Sequence, residues 1–292
     1  MDAKPGIYHA LSFTDYLAID AVNSSSLGML KKSPRHYKYS PPQPETSALA
    51  LGTLTHAAVL TPLEVIATYA VLPNYAMDPR NVTGDGAPST SRTKWVQERE
   101  KEFRSMHEGK VFCSQADYDA MLAMAQSIAD CPEARDMLQG RGHSEVTIVW
   151  EDPDTGLVCK GRIDRECSPR LGDLKTSVDL KKFRHSLKDY GYYRQMAFYV
   201  DGWARLTGEV LEPWIVAVEK SAPYCVQCAP LDSETLDYGR REYKRLLAEL
   251  AECMETNHWP GPPSPECWRL PDWAMQDEGG VELIVGGQAV SL

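Results

Sequence analysis

Three side chains within residues 161–177 (GRIDRECSPRLGDLKTS) have the types and spacing to do chemistry together. Asp164 lies on one apolar run, and Asp173 and Lys175 lie two apart on the next. Side chains alternate along a strand, so Asp173 and Lys175 share a face while Leu174 takes the other. Ser168, Pro169 and Arg170 supply turn chemistry between the runs, which predicts two adjacent antiparallel strands with Asp164 turned to the same pocket. Two carboxylates and a lysine converging in this way suit a divalent-metal site for phosphodiester hydrolysis. Hard cations take carboxylate oxygens and keep waters for substrate phosphates. A lysine beside them can hold the attacking water or balance charge developing on the phosphate. The same D-x-K spacing also describes a surface ion pair on an edge strand, and the local sequence leaves both readings open.

The elements that must position these groups are legible from periodicity. From Ser144 the pattern has a period of two, and the turn at 152–156 (DPDTG) reverses the chain. Three consecutive strands are expected, carrying Glu145, Asp164, Asp173 and Lys175. Helices follow at 178–188 and 190–206, with Gln195 and Tyr199 four apart and so on one helical face. Two more strands are expected at 213–220 and 224–230, then a long amphipathic helix at 233–257. Upstream, Asn23 and three serines cap a short helix stopped by Pro34. Residues 45–60 (ETSALALGTLTHAAVL) are apolar on most sides and read as a buried helix. Its one strongly polar side chain, His56, reads as a hydrogen-bonded core histidine, with metal ligation the alternative. Residues 74–91 are dense in Gly, Pro, Asn, Asp and Ser and read as a mobile loop. Helices are expected at 91–107 and 114–130. The expected organisation is one domain over 1–262 and a tail over 263–292.

The 292 residues are 43% hydrophobic, enough for one sizeable core. No apolar run approaches the roughly 20 residues of a membrane span, and the N-terminus does not read as a signal peptide. The eight cysteines are scattered, and Cys225 and Cys228 form the single close pair, without a second pair at zinc-ribbon spacing. Reduced thiols in a cytoplasmic protein are the expectation. The net charge of −10 excludes a protein coated in basic surface, yet residues 160–194 hold ten bases against five acids. Lys181, Lys182 and Arg184 in that window read as a nucleic-acid contact or a solvated helix face. Lys31, Lys32 and Arg35 sit among aromatic residues and read as a phosphate contact or an ordinary cationic helix end.

Taken in order, the motifs resemble the PD-(D/E)xK nuclease superfamily, and within it the RecB-like exonucleases. They are SSSLGMLKKSP; Gly52-x-x-x-His56; the strand acid Glu145; Ile163-Asp164; Asp173-Leu-Lys-Thr176; and Gln195-x-x-x-Tyr199. The likeness is greatest to RecE-type exonuclease domains and similar phage exonucleases. It implies an α/β (α+β), restriction-endonuclease-like core, with a mixed central sheet built on an antiparallel meander and flanked by helices. It implies Mg²⁺ or Mn²⁺, as two ions, held by Asp164, Asp173, His56 and the Leu174 carbonyl. Lys175 would position the water, Glu145 would be an outer or alternative ligand, and Gln195 and Tyr199 would organise the site. Some RecB-like relatives hold an iron–sulfur cluster through one early and three late cysteines; the earliest cysteine here follows His56, so no cluster is expected.

The resemblance further implies digestion of linear duplex DNA from its ends, 5′→3′, by a ring-shaped homo-oligomer serving recombination with a single-strand annealing protein. Two rivals stand beside it: a structure-specific or restriction-like endonuclease on the same core, and a DNA-end-binding protein that does not cleave.

Overall fold

The computed structural model describes residues 3–42, 46–82, 90, 93–270, 282–285 and 288–291. The chain divides into two compact units, Met1–Pro260 and Gly261–Leu292. In chain order the first holds β1 (Gly6–Tyr8), α1 (Phe13–Ala18), α2 (Ser24–Lys32), α3 (Pro34–Tyr39), α4 (Ser47–Leu60), α5 (Pro62–Thr68) and β2 (Tyr69–Val71). Then come α6 (Lys94–Met106), β3 (Val111–Cys113), α7 (Gln115–Asp130), α8 (Pro132–Gln139), β4 (His143–Glu151), β5 (Val158–Cys167) and β6 (Arg170–Ser177). The unit closes with α9 (Phe183–Asp189), α10 (Tyr192–Thr207), β7 (Glu212–Glu219), β8 (Val226–Pro230) and α11 (Ser233–Thr256). In the second unit β9 (Glu282–Val285) and β10 (Gln288–Ser291) pair antiparallel. Within the expected loop at 74–91, Tyr75–Met77 forms a 3-10 turn, and residues 83–89 and 91 lie outside the described residues.

The helix ends follow their caps. Ser26 N donates to Asn23 Oδ1 and Asn23 N to Ser26 Oγ, a reciprocal box that starts α2. Pro34 opens α3 where its missing N–H costs nothing.

Six strands form the central sheet in the order β1-β4-β5-β6-β7-β8. Every neighbour is antiparallel except β6–β7, which run parallel. A parallel pair needs a crossover, and α9 and α10 supply it. The expected mixed sheet on an antiparallel meander, flanked by helices, is therefore present. One face packs Val146, Ile148, Trp150 and Ile163 against Leu27, Phe198, Leu246 and Leu250 of α2, α10 and α11. The other packs Leu174, Val216 and Val218 against Val59, Met124 and Met137 of α4, α7 and α8. Covered on both faces, β4 buries Val146 to Trp150 without a break, Thr147 and Val149 included.

One expectation needs correction. The helix at 45–60 is not buried on most sides: α4 begins at Ser47, and Leu49 stays 58% exposed because only the Leu54, Val59 and Leu60 side meets the core. The basic window at 160–194 is divided: Lys160, Arg165 and Arg194 are buried, and Lys181, Lys182, Arg184 and Lys188 are exposed. The Lys160 ammonium donates to the carbonyls of Tyr16 (2.8 Å) and Ile19 (2.7 Å), and burial lowers its pKa.

Candidate active site at a fork in the sheet

β5 and β6 pair only from Arg165↔Gly172 to Cys167↔Arg170, beside the turn that joins them. Beyond that they part, and the first residues past the parting are Asp164 and Asp173. Asp164 Oδ2 accepts the Leu174 N–H at 2.7 Å, so a carboxylate holds an amide that the ladder has released. The β4–β5 ladder also skips one pair, running Ser144↔Arg165 and then Val146↔Ile163, and the skipped residues are Glu145 and Asp164. Glu145 has φ +56°, left-handed backbone in mid-strand, which costs roughly 1–3 kcal/mol and clusters at functional sites. The distortion turns its carboxylate to the fork.

α4 brings His56 to the same place. Gly52 makes this approach possible, since a Cβ there would meet Thr176 Oγ1 of β6 at 3.3 Å. His56 lies one turn further on the same helical face. Its Nδ1 is 3.5 Å from Asp164 Oδ2. Burial and the nearby Lys175 charge lower the His56 pKa to about 3, so the imidazole is neutral and free to ligate.

Each of His56, Glu145 and Asp164 offers a ligand atom within 4.8 Å of the others. Asp173 takes a different partner. Its side chain is fully buried, and Oδ2 makes no well-aligned hydrogen bond; its close neighbour is the Lys175 ammonium at 2.7 Å. Oδ1 accepts from Gln195 Nε2 at 3.3 Å, and the same amide reaches Tyr199 OH at 3.1 Å. Gln195 and Tyr199 thus share one face of α10, as their spacing predicts, and brace Asp173.

The electrostatics describe an anionic centre short of positive charge. Burial and the Asp173 charge push Asp164 well above the usual carboxylate range. Burial raises Asp173 too, with Lys175 offsetting part of it. For Lys175, burial works to lower the pKa, but the two aspartates outweigh it and raise it, so the ammonium stays charged. Clustered carboxylates held up in this way and a neutral imidazole fit a hard divalent cation.

Other residues sort plainly. Lys31 is spent on Glu242 at 2.6 Å and on Tyr193 OH at 3.2 Å, tying α2 to α10 and α11. Lys32 and Arg35 are exposed, as are Lys181, Lys182 and Arg184. Two groups escaped the sequence reading. Arg162 pairs with the Glu145 carboxylate and donates to the Leu11 carbonyl at 2.9 Å, steadying the distorted strand. Tyr192 lies with its ring centre 4.7 Å from Lys175 Nζ. Arg162 could have been found from its place two residues before Asp164; Tyr192 carries no such signal.

The fork, the D-x-K strand and the helix-borne histidine define a PD-(D/E)xK nuclease-like domain. Residues 25–268 match the PDDEXK-like domain of unknown function DUF3799, and the chain belongs to that family. Among solved structures, a protein of Eubacterium rectale described as a candidate exonuclease superposes with TM-score 0.50 at 15% identity, covering 88% of this chain and 96% of that one. The protein SSO0001 superposes with TM-score 0.29 at 17% identity over 59% of this chain and 72% of its own. No curated protein matches this chain in sequence. No helix among the described residues is long and apolar enough to cross a membrane.

Proposed function

We propose that this chain is a Mg²⁺- or Mn²⁺-dependent exodeoxyribonuclease that hydrolyses linear duplex DNA from its ends. The observation that carries the reading is the fork itself: His56, Glu145 and Asp164 with ligand atoms within 4.8 Å, and the buried Asp173–Lys175 pair alongside. Binding DNA without cutting it gives no reason to bury two carboxylates against each other, a cost of several kcal/mol in unfavourable charge.

In this reading His56, Asp164, Asp173 and the Leu174 carbonyl would hold two ions, with Glu145 an outer or alternative ligand. The bound ions would supply stabilisation of the entering and leaving oxygens. Lys175 orients the water for in-line attack at phosphorus and balances charge on the non-bridging oxygens. The bond to the leaving strand oxygen breaks as water adds, and that oxygen leaves with a proton. Gln195 and Tyr199 keep Asp173 in place, and Lys32, Arg35, Lys181, Lys182 and Arg184 are the candidate backbone contacts. Residues 1–262 form the catalytic domain and 263–292 a tail. The likeness to RecE-type enzymes supports 5′→3′ polarity, a homo-oligomeric ring in the cytoplasm and an annealing partner in recombination.

The test is digestion of end-labelled linear duplex beside covalently closed circles, with Mg²⁺ and with EDTA. Release of labelled nucleotides from linear DNA alone, stopped by EDTA, is expected. Cutting of closed circles would make the enzyme an endonuclease, and binding without cutting would end the nuclease reading.

A further inference from the structure

Between α9 and α10 the chain turns through Gly191, in the left-handed region at φ +69°. Residues two apart do not face each other on a helix. Here the turn breaks the helical register, and Tyr190 and Tyr192 stack with ring centres 5.6 Å apart and planes 28° apart. Tyr192 stacks in turn on Phe183 at 6.1 Å and 27°. The row ends at the active site, because the other neighbour of Tyr192 is the Lys175 ammonium, 4.7 Å from the ring centre. Its outer end is open: Tyr190 is 69% exposed.

A lone surface tyrosine calls for no ligand. This one differs in being the free end of a stack that leads to the residue placed beside the scissile phosphate. Its surroundings favour a polyanion. Lys181, Lys182, Arg184 and Lys188 are all exposed on the same short segment, against the half-buried Asp179 and the exposed Asp189. Lys182 keeps 78% of its side chain in solvent and stands 4.0 Å from Asp179, a loose pairing. Aromatic faces beside a cationic track are how proteins hold single-stranded nucleic acid, since every base has a π-face to offer.

We propose that Tyr190 and Tyr192 form a stacking platform for the terminal, unpaired base of a DNA strand whose next phosphate lies at Lys175. Tyr190 is then a positioning residue, and the preferred substrate is a duplex end with a few nucleotides already unpaired. The proposal rests on the nuclease reading for its substrate class and adds the state of the DNA end.

The test uses the whole chain and a duplex with three mismatched terminal pairs, carrying 2-aminopurine as the terminal base. Binding is read in Ca²⁺, without turnover. Quenching on binding is expected for the wild type and for Tyr190→Phe, which keeps the ring, and its loss for Tyr190→Ala. With Mg²⁺, KM of Tyr190→Ala for the frayed end should rise about 5- to 150-fold, the worth of one base–ring stack, with kcat changed far less. Tyr190→Trp should keep KM near the wild-type value; a merely structural tyrosine would not show that rescue. Unchanged quenching and KM in Tyr190→Ala would overturn the platform while leaving the nuclease intact. Quenching without cleavage of any DNA by the wild type would overturn the nuclease reading and leave the platform. A wild type that binds no DNA end would overturn both.

Discussion

Gly52 of α4 and Thr176 of β6 approach so closely that a Cβ on residue 52 would stand 3.3 Å from the Thr176 hydroxyl. That approach sets how far His56, one turn along, reaches over Asp164. The glycine thus shapes the proposed metal site without being a ligand in it.

Gly52→Leu should lift α4 from β6 and draw His56 away from Asp164. The Mg²⁺ concentration for half-maximal cleavage should rise about 10- to 100-fold, the usual scale for losing a ligand's support. His56→Ala should move the same titration with the strand undisturbed. Thermal unfolding of both variants is the control. A His56→Ala protein that melts earlier but titrates metal like the wild type would mark the histidine as structural.

Lys175→Ala and Asp173→Ala should each remove cleavage, measured as single turnover of end-labelled duplex at saturating metal. Losing one charge-stabilising donor costs about 10²–10³ in rate, and loss of the ion pair adds to it. A near wild-type rate for purified Lys175→Ala would sink the assignment.

The raised Asp164 pKa gives metal-free stability a definite dependence on pH. The folded carboxyl keeps a proton that the unfolded chain releases above about pH 4. The native state therefore binds more protons, and this contribution to stability should fall as pH rises from about 4 through the raised folded value, then level off. His56 works in the opposite direction. Its folded pKa of about 3 lies below the unfolded value of about 6.5, so its contribution should rise with pH between the two. His56→Ala should therefore show the carboxylate fall without that rise. Asp173→Asn removes the charge next to Asp164, so in that variant the fall should shrink, and saturating Mg²⁺ should offset it. Denaturant midpoints across pH, with and without metal, measure all of this.

Charge reversal at Lys181, Lys182 and Arg184 should weaken binding of linear duplex. Its salt dependence should flatten by about 0.9 in log–log slope for each phosphate no longer neutralised. Lys244 and Arg245 on α11 are engaged with Asp154 and Glu249, each at 3.1 Å, and reversals there should leave the slope nearly unchanged. Equal effects from the two sets would show that DNA does not approach along α9.

Much of this was determined by the sequence alone. The period of two from Ser144 to Trp150, the turn at 152–156 and the two apolar runs after it specified three strands, because alternation and turn chemistry are local properties of the chain. The order Gly-x-x-x-His, strand Glu, Ile-Asp, Asp-Leu-Lys, Gln-x-x-x-Tyr specified the superfamily, since fixed spacings on helices and strands carry their geometry with them. Tertiary structure decided the rest. Whether Asp164 and Asp173 lie in a continuous ladder or at a fork depends on hydrogen bonds between strands, which no single segment encodes. The same holds for Glu145, whose left-handed backbone is tolerated only where Arg162 and the parted strands hold it. The charge count over 160–194 carries no burial, and it took the packed structure to turn Lys160 and Arg194 inward onto a carbonyl and Glu242 while Lys181, Lys182 and Arg184 stayed exposed. Tyr190 met Tyr192 because a left-handed glycine bent the chain between them, a conformation that glycine permits and only the packed helices select.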